Sequence, residues 1–305
     1  MPPGSGELAA QPADEAAKKP RVLCEHAERC GGCPLIGLTY EDQLMMKRGR
    51  VVQAISRYPA LELTYTEPVL PAQPVSGYRT RAKLIVAPGG RVGLYAKGGG
   101  HQVVDIPRCR VLSPALVAVA DALAARILRD EASNGPLAPL ALDGPGALRA
   151  MDLRETSEGG ASKILVTLVV QRERAPTPDA LRAVATELAT EIPSLAGIAV
   201  NYHEGESPQI LGGETALLHG AAQLPDRVGK SVHLATFGSF VQAHRGQAER
   251  VHQRLVEVAR QAIASQGGGR PPRVLDLYGG SGAISLALAA HGAEVHLVES
   301  FAPAV

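Results

Sequence analysis

The 305-residue sequence has no apolar run approaching the ~18 residues that a membrane-spanning helix requires, which argues against an integral membrane protein. Its first twenty residues, MPPGSGELAAQPADEAAKKP, lack the hydrophobic centre of a secretory signal. They also hold no run able to bury a face, so a disordered leader is expected over residues 1–20. Cysteine is scarce, at four in the whole chain, which is too few for a secreted disulfide scaffold. No internal repeat is visible, and the net charge is only +1. These absences leave a soluble cytoplasmic protein as the expectation, longer than one ordinary domain and so built from two or three units.

What the sequence does contain is unevenly placed. Residues 21–110 carry 13 Lys+Arg against 7 Asp+Glu, while residues 111–305 carry 16 against 20. The front part therefore has the modest positive bias of a surface that meets phosphates. Three of the four cysteines crowd into CEHAERCGGC as Cys24, Cys30 and Cys33, followed by Pro34, and the fourth, Cys109, follows 75 residues later. Structural zinc usually takes two close pairs, whereas iron–sulfur clusters commonly take three thiolates from one loop and one from elsewhere. Gly31 and Gly32 suit a backbone that wraps closely around inorganic sulfide. The spacing favours an iron–sulfur cluster, with zinc and with free or disulfide-bonded cysteines left open. His26 reads as an outer or surface group beside four thiols.

A capping signal at Thr39 and Asp42 opens a helix over about 41–57, with Leu44, Val51, Val52 and Ile55 near one face. After a proline-rich link at 68–74, GYRTRAKLIV, RVGLYA and HQVVDI read as a β-meander turning at Pro88-Gly89-Gly90. Alternation places Arg79, Arg81 and Lys83 on one face, either to hold phosphates or as a solvated sheet surface. A helix opened by Pro114, strands at ALRAMDLR and KILVTLVVQ, a helix near 178–190 and a strand at GIAVNYH complete a central α+β unit. A long amphipathic helix runs from about 245 to the Gly267–Gly269 run, and then RVLDLYGG, SGAISLALAAHG and EVHLVE form a β–turn–α–β pattern.

That last pattern carries chemistry. Asp276 ends the strand, Gly280 and Gly282 let backbone approach a ligand, and Glu299 at the tip of the next strand is placed to accept from ribose hydroxyls. An adenosine-bearing cofactor is implied. Dinucleotide folds begin their glycines directly after the strand, whereas D-x-x-x-G-x-G is typical of S-adenosylmethionine sites. The methyl donor is favoured over a nicotinamide or flavin nucleotide and over a ligand-free turn.

Together, C-x5-C-x2-C, the distant Cys109, YRTRAKLIV, FGSFVQAH and DLYGGSG resemble the RNA uracil-C5 methyltransferases, in particular the iron–sulfur branch acting on large-subunit (23S-type) ribosomal RNA. The resemblance runs from about residue 21 to 300. It implies a 4Fe-4S cluster on Cys24, Cys30, Cys33 and Cys109, cofactor contacts at Gln242, Tyr278 and Glu299, a ribosomal RNA partner and a monomer. The fold class it implies is α/β: an iron–sulfur loop at 21–40, a central α+β RNA-binding domain at 41–235, and the first β-α-β of a Rossmann-like methyltransferase sheet at 236–305. Uracil C5 is a poor nucleophile, so the family adds a cysteine thiolate at C6, drawn from a later loop. Here no cysteine follows Cys109, and the sequence ends at Val305, so the nucleophile and base are expected to be absent from this chain. Gly279, Ala283 and Gln242-Ala243-His244 depart from the family pattern, and His244 reads as a polar residue at a helix start rather than a base. The alternative is a non-catalytic iron–sulfur RNA-binding module with a vestigial methyltransferase fold.

Overall fold

The computed structural model describes residues 21–158, 160–205, 207, 209–265 and 271–304. The expected leader at 1–20 and the Gly267–Gly269 run lie outside the described residues. The chain separates into two compact units, one holding Leu35–Leu70 and the other made of Cys24–Pro34 with the chain from Pro71 onward.

The smaller unit is built on helix α1 (Tyr40–Ile55). Thr39 caps it as expected, its hydroxyl oxygen accepting from the Asp42 backbone N–H at 3.2 Å. The anticipated apolar face is not a buried one: no residue of α1 is buried, and Met45, Met46, Val51 and Val52 are exposed. A 3₁₀ turn at Pro59–Leu61 follows, and Arg48 ties the later chain back by donating from Nε and Nη2 to the Thr66 carbonyl at 2.9 and 2.7 Å.

The larger unit is organised by a seven-stranded sheet in the order β3-β2-β1-β4-β5-β6-β7. The meander appears as β1 (Arg81–Ala87), β2 (Arg91–Tyr95) and β3 (Val103–Asp105), all antiparallel. Helix α2 (Pro114–Ser133) starts with Ser113 as cap and Pro114 in its first turn, and buries Leu116, Val119, Ala120, Leu123 and Ile127 at helical spacing. Strands β4 (Leu148–Glu158) and β5 (Ala161–Gln171) form a long antiparallel pair. Helix α3 (Pro178–Glu191) then crosses over to β6 (Leu195–His203), which pairs parallel with β5. One face of this sheet packs on α2 and α3 in a single apolar core that includes Leu84, Met151, Leu153, Val166, Leu168, Leu181, Leu188 and Val200.

Three strands went unforeseen: β7 (Glu214–Gly220), which closes the sheet against β6, and the hairpin β8 (Gln223–Val228) with β9 (Ser231–Thr236). Pro225 inside β8 masks the strand in the sequence. A two-stranded hairpin leaves β8 a free edge, where the missing N–H costs no ladder bond. Alternation was nonetheless present, since Leu224, Asp226 and Val228 are buried and their neighbours exposed.

Helix α4 (Arg245–Ser265) leads to β10 (Arg273–Leu277), α5 (Ala283–Ala289) and β11 (Glu294–Val298). Strands β10 and β11 pair parallel, Asp276 opposite Leu297, which is the expected β–α–β unit with a shorter helix than its sequence suggested. α5 packs against α4, β9 and β11. The architecture is mixed α/β, with an antiparallel-dominated central sheet and a separate two-stranded parallel one.

Candidate functional site

The glycine turn is shaped by the close approach of Leu297 to Gly279 and by three left-handed residues. Tyr278 has φ 61°, Gly280 φ 57° and Gly282 φ 75°. For tyrosine this conformation is strained, and strain of that kind concentrates at ligand-binding turns. Its side chain is 88% exposed, so no packing accounts for it. A Cβ at Gly279 would stand 2.6 Å from Leu297 Cγ, which explains glycine where the family pattern often has a larger residue. Asp276 accepts from Ser285 Oγ at 2.7 Å, joining the strand end to the first turn of α5.

Glu299 closes the turn from β11. Its carboxylate accepts from the Phe301 backbone N–H at 2.7 Å and from the Gly280 N–H at 2.8 Å, and these bonds, Phe301 foremost, hold it below the usual carboxylate range. An ionised carboxylate has further lone-pair sites, so this anchoring leaves acceptor capacity for a ligand hydroxyl. Gln242 lies exposed in the irregular segment before α4. That segment reaches the same neighbourhood: a Cβ at Gly238 would meet the Phe301 ring at 3.4 Å. Asp276, Tyr278, Gly280 and Gly282 thus lie in one turn that Glu299 bonds, and the segment bearing Gln242 meets, at Gly238, the chain just beyond β11. His244 stacks on Tyr78 with ring centroids 4.7 Å apart and bonds the Pro74 carbonyl at 3.1 Å, consistent with a polar residue at a helix start.

The cysteine segment is stitched to the meander. Cys30 bridges to Ala96, Gly31 N–H donates to the Tyr95 carbonyl at 2.9 Å, and buried His26 bonds the Pro107 carbonyl at 2.8 Å, two residues before Cys109. This brings Cys24, Cys30 and Cys109 within electrostatic range of Cys33. Burial pushes the Cys33 thiol up, and Cys109, Cys30 and Cys24 push it further, with Arg79 opposing. Cys30 and Cys109 also pack against the apolar core. Among the described residues, however, no three or more His, Cys, Asp or Glu side chains are grouped so as to hold a metal ion.

The three meander cations do not act alike. Arg79 lies close enough to Cys33 and to Tyr78 for its charge to oppose the upward shift that burial gives each. Arg81 is not a free cation for RNA: it is paired with buried Asp152 at 2.6 Å and donates to the Gly238 and Ser239 carbonyls. Lys83 is half-buried, opposite Asp152 in the β1–β4 pairing. Sequence reasoning missed Asp152, Arg154 and Asp226. Alternation with core Met151 and Leu153 assigns Asp152 and Arg154 to the opposite face of the strand, and their partners lie far along the chain.

A third feature is an open cavity of about 940 Å³ on the sheet, lined by Tyr95, His101, Arg149, Gln171 and Arg174 among others. Burial lowers the Arg149 pKa, and its guanidinium bonds Gln171 and His203.

No family model matches the chain. It is 31% identical over 293 residues to a protein of Thermosynechococcus vestitus described as an uncharacterized RNA methyltransferase, a match that takes in 93% of this chain and 60% of that protein. A Geobacter sulfurreducens protein of the same description is 30% identical, over 95% of this chain and 56% of its own length. The chain therefore spans somewhat over half the length of these curated relatives. Among solved structures, the Pyrococcus abyssi tRNA (uracil-54, C5)-methyltransferase, in complex with S-adenosyl-L-homocysteine, superposes with a TM-score of 0.66 at 23% identity, over 90% of this chain and 60% of that one. In sequence the chain is thus similar to proteins described as RNA methyltransferases, and it shares its fold with the Pyrococcus abyssi protein over the part that superposes.

Proposed function

We propose that this chain is the RNA-contacting and cofactor-entry portion of an S-adenosylmethionine-dependent methyltransferase that modifies uracil C5 in RNA, with ribosomal RNA of the large subunit as the target. The observation that carries the reading is the D-L-Y-G-G-S-G turn between parallel strands, closed by Glu299 on the Gly280 N–H. Residues that would hold the cofactor are Gly280 and Gly282 through close backbone approach, Glu299 at the ribose, and Tyr278 and Gln242 at the rim. The sulfonium donor supplies an electrophilic methyl group. The residues of this chain bind and orient it.

The same proposal gives Cys24, Cys30, Cys33 and Cys109 to a 4Fe-4S cluster with a structural or RNA-contacting role. The raised proton affinity of Cys33, set by burial first and then by Cys109, Cys30 and Cys24, is supporting chemistry, because metal binding takes up the thiolate that this surrounding disfavours. With all four so used, no thiol of this chain is left to add to uracil C6, and cofactor and RNA binding without turnover is the expected behaviour. The protein would act in the cytoplasm as a monomer. Among the described residues no helix is long and apolar enough to cross a membrane.

Calorimetry with S-adenosylhomocysteine tests the turn: saturable binding that Glu299→Ala weakens supports the reading, and no binding by the unmodified chain refutes it. Anaerobic purification with iron, sulfide and zinc analysis tests the cluster. A colourless zinc-loaded protein would replace iron–sulfur with zinc.

A further inference from the structure

The buried charges of the larger unit concentrate where its sheet meets the segment before α4. Arg81 on β1 and Arg154 on β4 are directly opposite in the antiparallel pairing, an arrangement that repels unless each cation is neutralised. Each has its own carboxylate. Asp152 takes Arg81 as a fork, Nε to Oδ1 at 3.1 Å and Nη2 to Oδ2 at 2.6 Å. Asp226, fully buried on β8, lies 3.5 Å from Arg154 Nη2 and also receives Arg245 from the start of α4.

These pairs leave other guanidinium N–H groups, and those reach one short piece of chain. Arg81 donates to the Gly238 carbonyl at 3.3 Å and to the Ser239 carbonyl. Arg154 donates to Ser239 Oγ at 2.6 Å and, at 3.5 Å, to the carbonyls of Thr236 and Ser239. Thr80 adds a hold further along, its backbone N–H and hydroxyl both donating to the Ala243 carbonyl at 2.9 and 3.2 Å. The segment so gripped leaves β9 at Thr236, has no regular structure over 237–243, turns at Gly238 with φ 78°, and carries Phe240 71% exposed.

Buried ion pairs are a poor device for stability alone, since apolar residues of similar volume serve as well. What a guanidinium adds is a planar fork with fixed donor directions. We infer that Arg81 and Arg154 are positioning residues that preset the 236–243 segment, and with it Gln242, beside the glycine turn. Their role toward the cofactor rests on the proposed reading of Gln242. Arg81, in the YRTR motif, then serves the cofactor side of the molecule and not the RNA phosphates.

The test is limited chymotrypsin digestion of the full chain, following the Phe240–Val241 cut by mass spectrometry, alongside hydrogen exchange of the β5 amides. Combining Arg81→Met with Asp152→Asn removes both charges and strands neither. Cleavage after Phe240 should accelerate about tenfold, as expected for loss of charge-assisted bonds, while β5 exchange stays at the unmodified rate. Arg81→Lys, which keeps the charge but loses the fork, should fall between. Unchanged cleavage in the double variant, or acceleration matched by an equal rise in β5 exchange, overturns the inference. S-adenosylhomocysteine calorimetry separates the two claims. If the unmodified chain does not bind, the cofactor reading fails while the digestion result still decides the positioning of the segment. If it binds and the double variant binds equally well, the role toward the cofactor is overturned.

Discussion

The central sheet and the β10–β11 pair are written in similar letters and buried very differently. In β5 the run Ile164–Val170 is buried throughout, whereas in β10 exposed and half-buried residues alternate, with Leu275 59% and Leu277 56% exposed. Burial is conferred by what covers a strand's two faces, and not by its own composition. β5 has α2 and α3 on one side and, through Leu165, the β8–β9 hairpin on the other. β10 pairs with β11, and the face that carries Leu275 and Leu277 is left open. Stability resides mainly in the first region, while the proposed cofactor chemistry resides in the second.

The largest effect that would test this division comes from paired truncations. Leu168→Ala, at a site with no exposure, should cost about 2–5 kcal/mol, and Leu275→Ala about 0.5 kcal/mol or less, both by urea unfolding. Equal costs would show that the second region is as tightly covered as the first. A smaller effect is expected at Gly279→Ala. The added methyl would meet Leu297 Cγ at 2.6 Å, and overpacking of this kind costs about 1–3 kcal/mol. Hydrogen exchange should rise in β10 and β11 while β4 and β5 stay protected. Next, Ser113→Ala removes the oxygen that accepts from the Leu116 N–H at 3.2 Å and should cost about 1 kcal/mol in thermal unfolding of the sheet region, leaving S-adenosylhomocysteine affinity unchanged.

Legibility followed the same division. The helix opened by Pro114 and the helix near 178–190 were legible because each is local, and the structure adds their hydroxyl caps, Ser113 and Thr177, and the face of α3 buried by Leu181, Val184, Ala185 and Leu188. The glycine turn was readable because Asp276, Gly280, Gly282 and Glu299 lie in one local unit of strand, turn, helix and strand. The positioning charges were not readable, because Arg81 finds Asp152 across 71 residues and Arg154 finds Asp226 across 72. Alternation correctly put Arg81 and Lys83 on one face. It could not say that the β8–β9 hairpin and the segment after it would cover part of that face, since a proline hid β8. The absence of a buried face on α1 was also beyond reach, because an apolar stripe states what could be covered and not what covers it.

The smallest expected effect separates the two regions by pH. His233 on β9 is buried with Nδ1 unpartnered, and His252 lies on α4; burial lowers both pKa values. Asp226, at 3.8 Å, pulls His233 toward protonation, but Arg154 and Arg245 oppose it and already claim that carboxylate. Each histidine therefore stays neutral in the fold to a lower pH than in the unfolded chain, where it takes up a proton near pH 6.5. Below that pH the unfolded state binds more protons, so stability falls as pH drops through about 6.5 toward the depressed folded values and levels off beneath them. Urea midpoints at pH 7.5 and pH 5.5 should differ in that direction. His233→Gln should narrow the difference, because it removes one of the two groups whose protonation favours the unfolded chain. A midpoint that rises on acidification, or a difference that His233→Gln leaves intact, would show that carboxylates and not these histidines govern this part of the molecule.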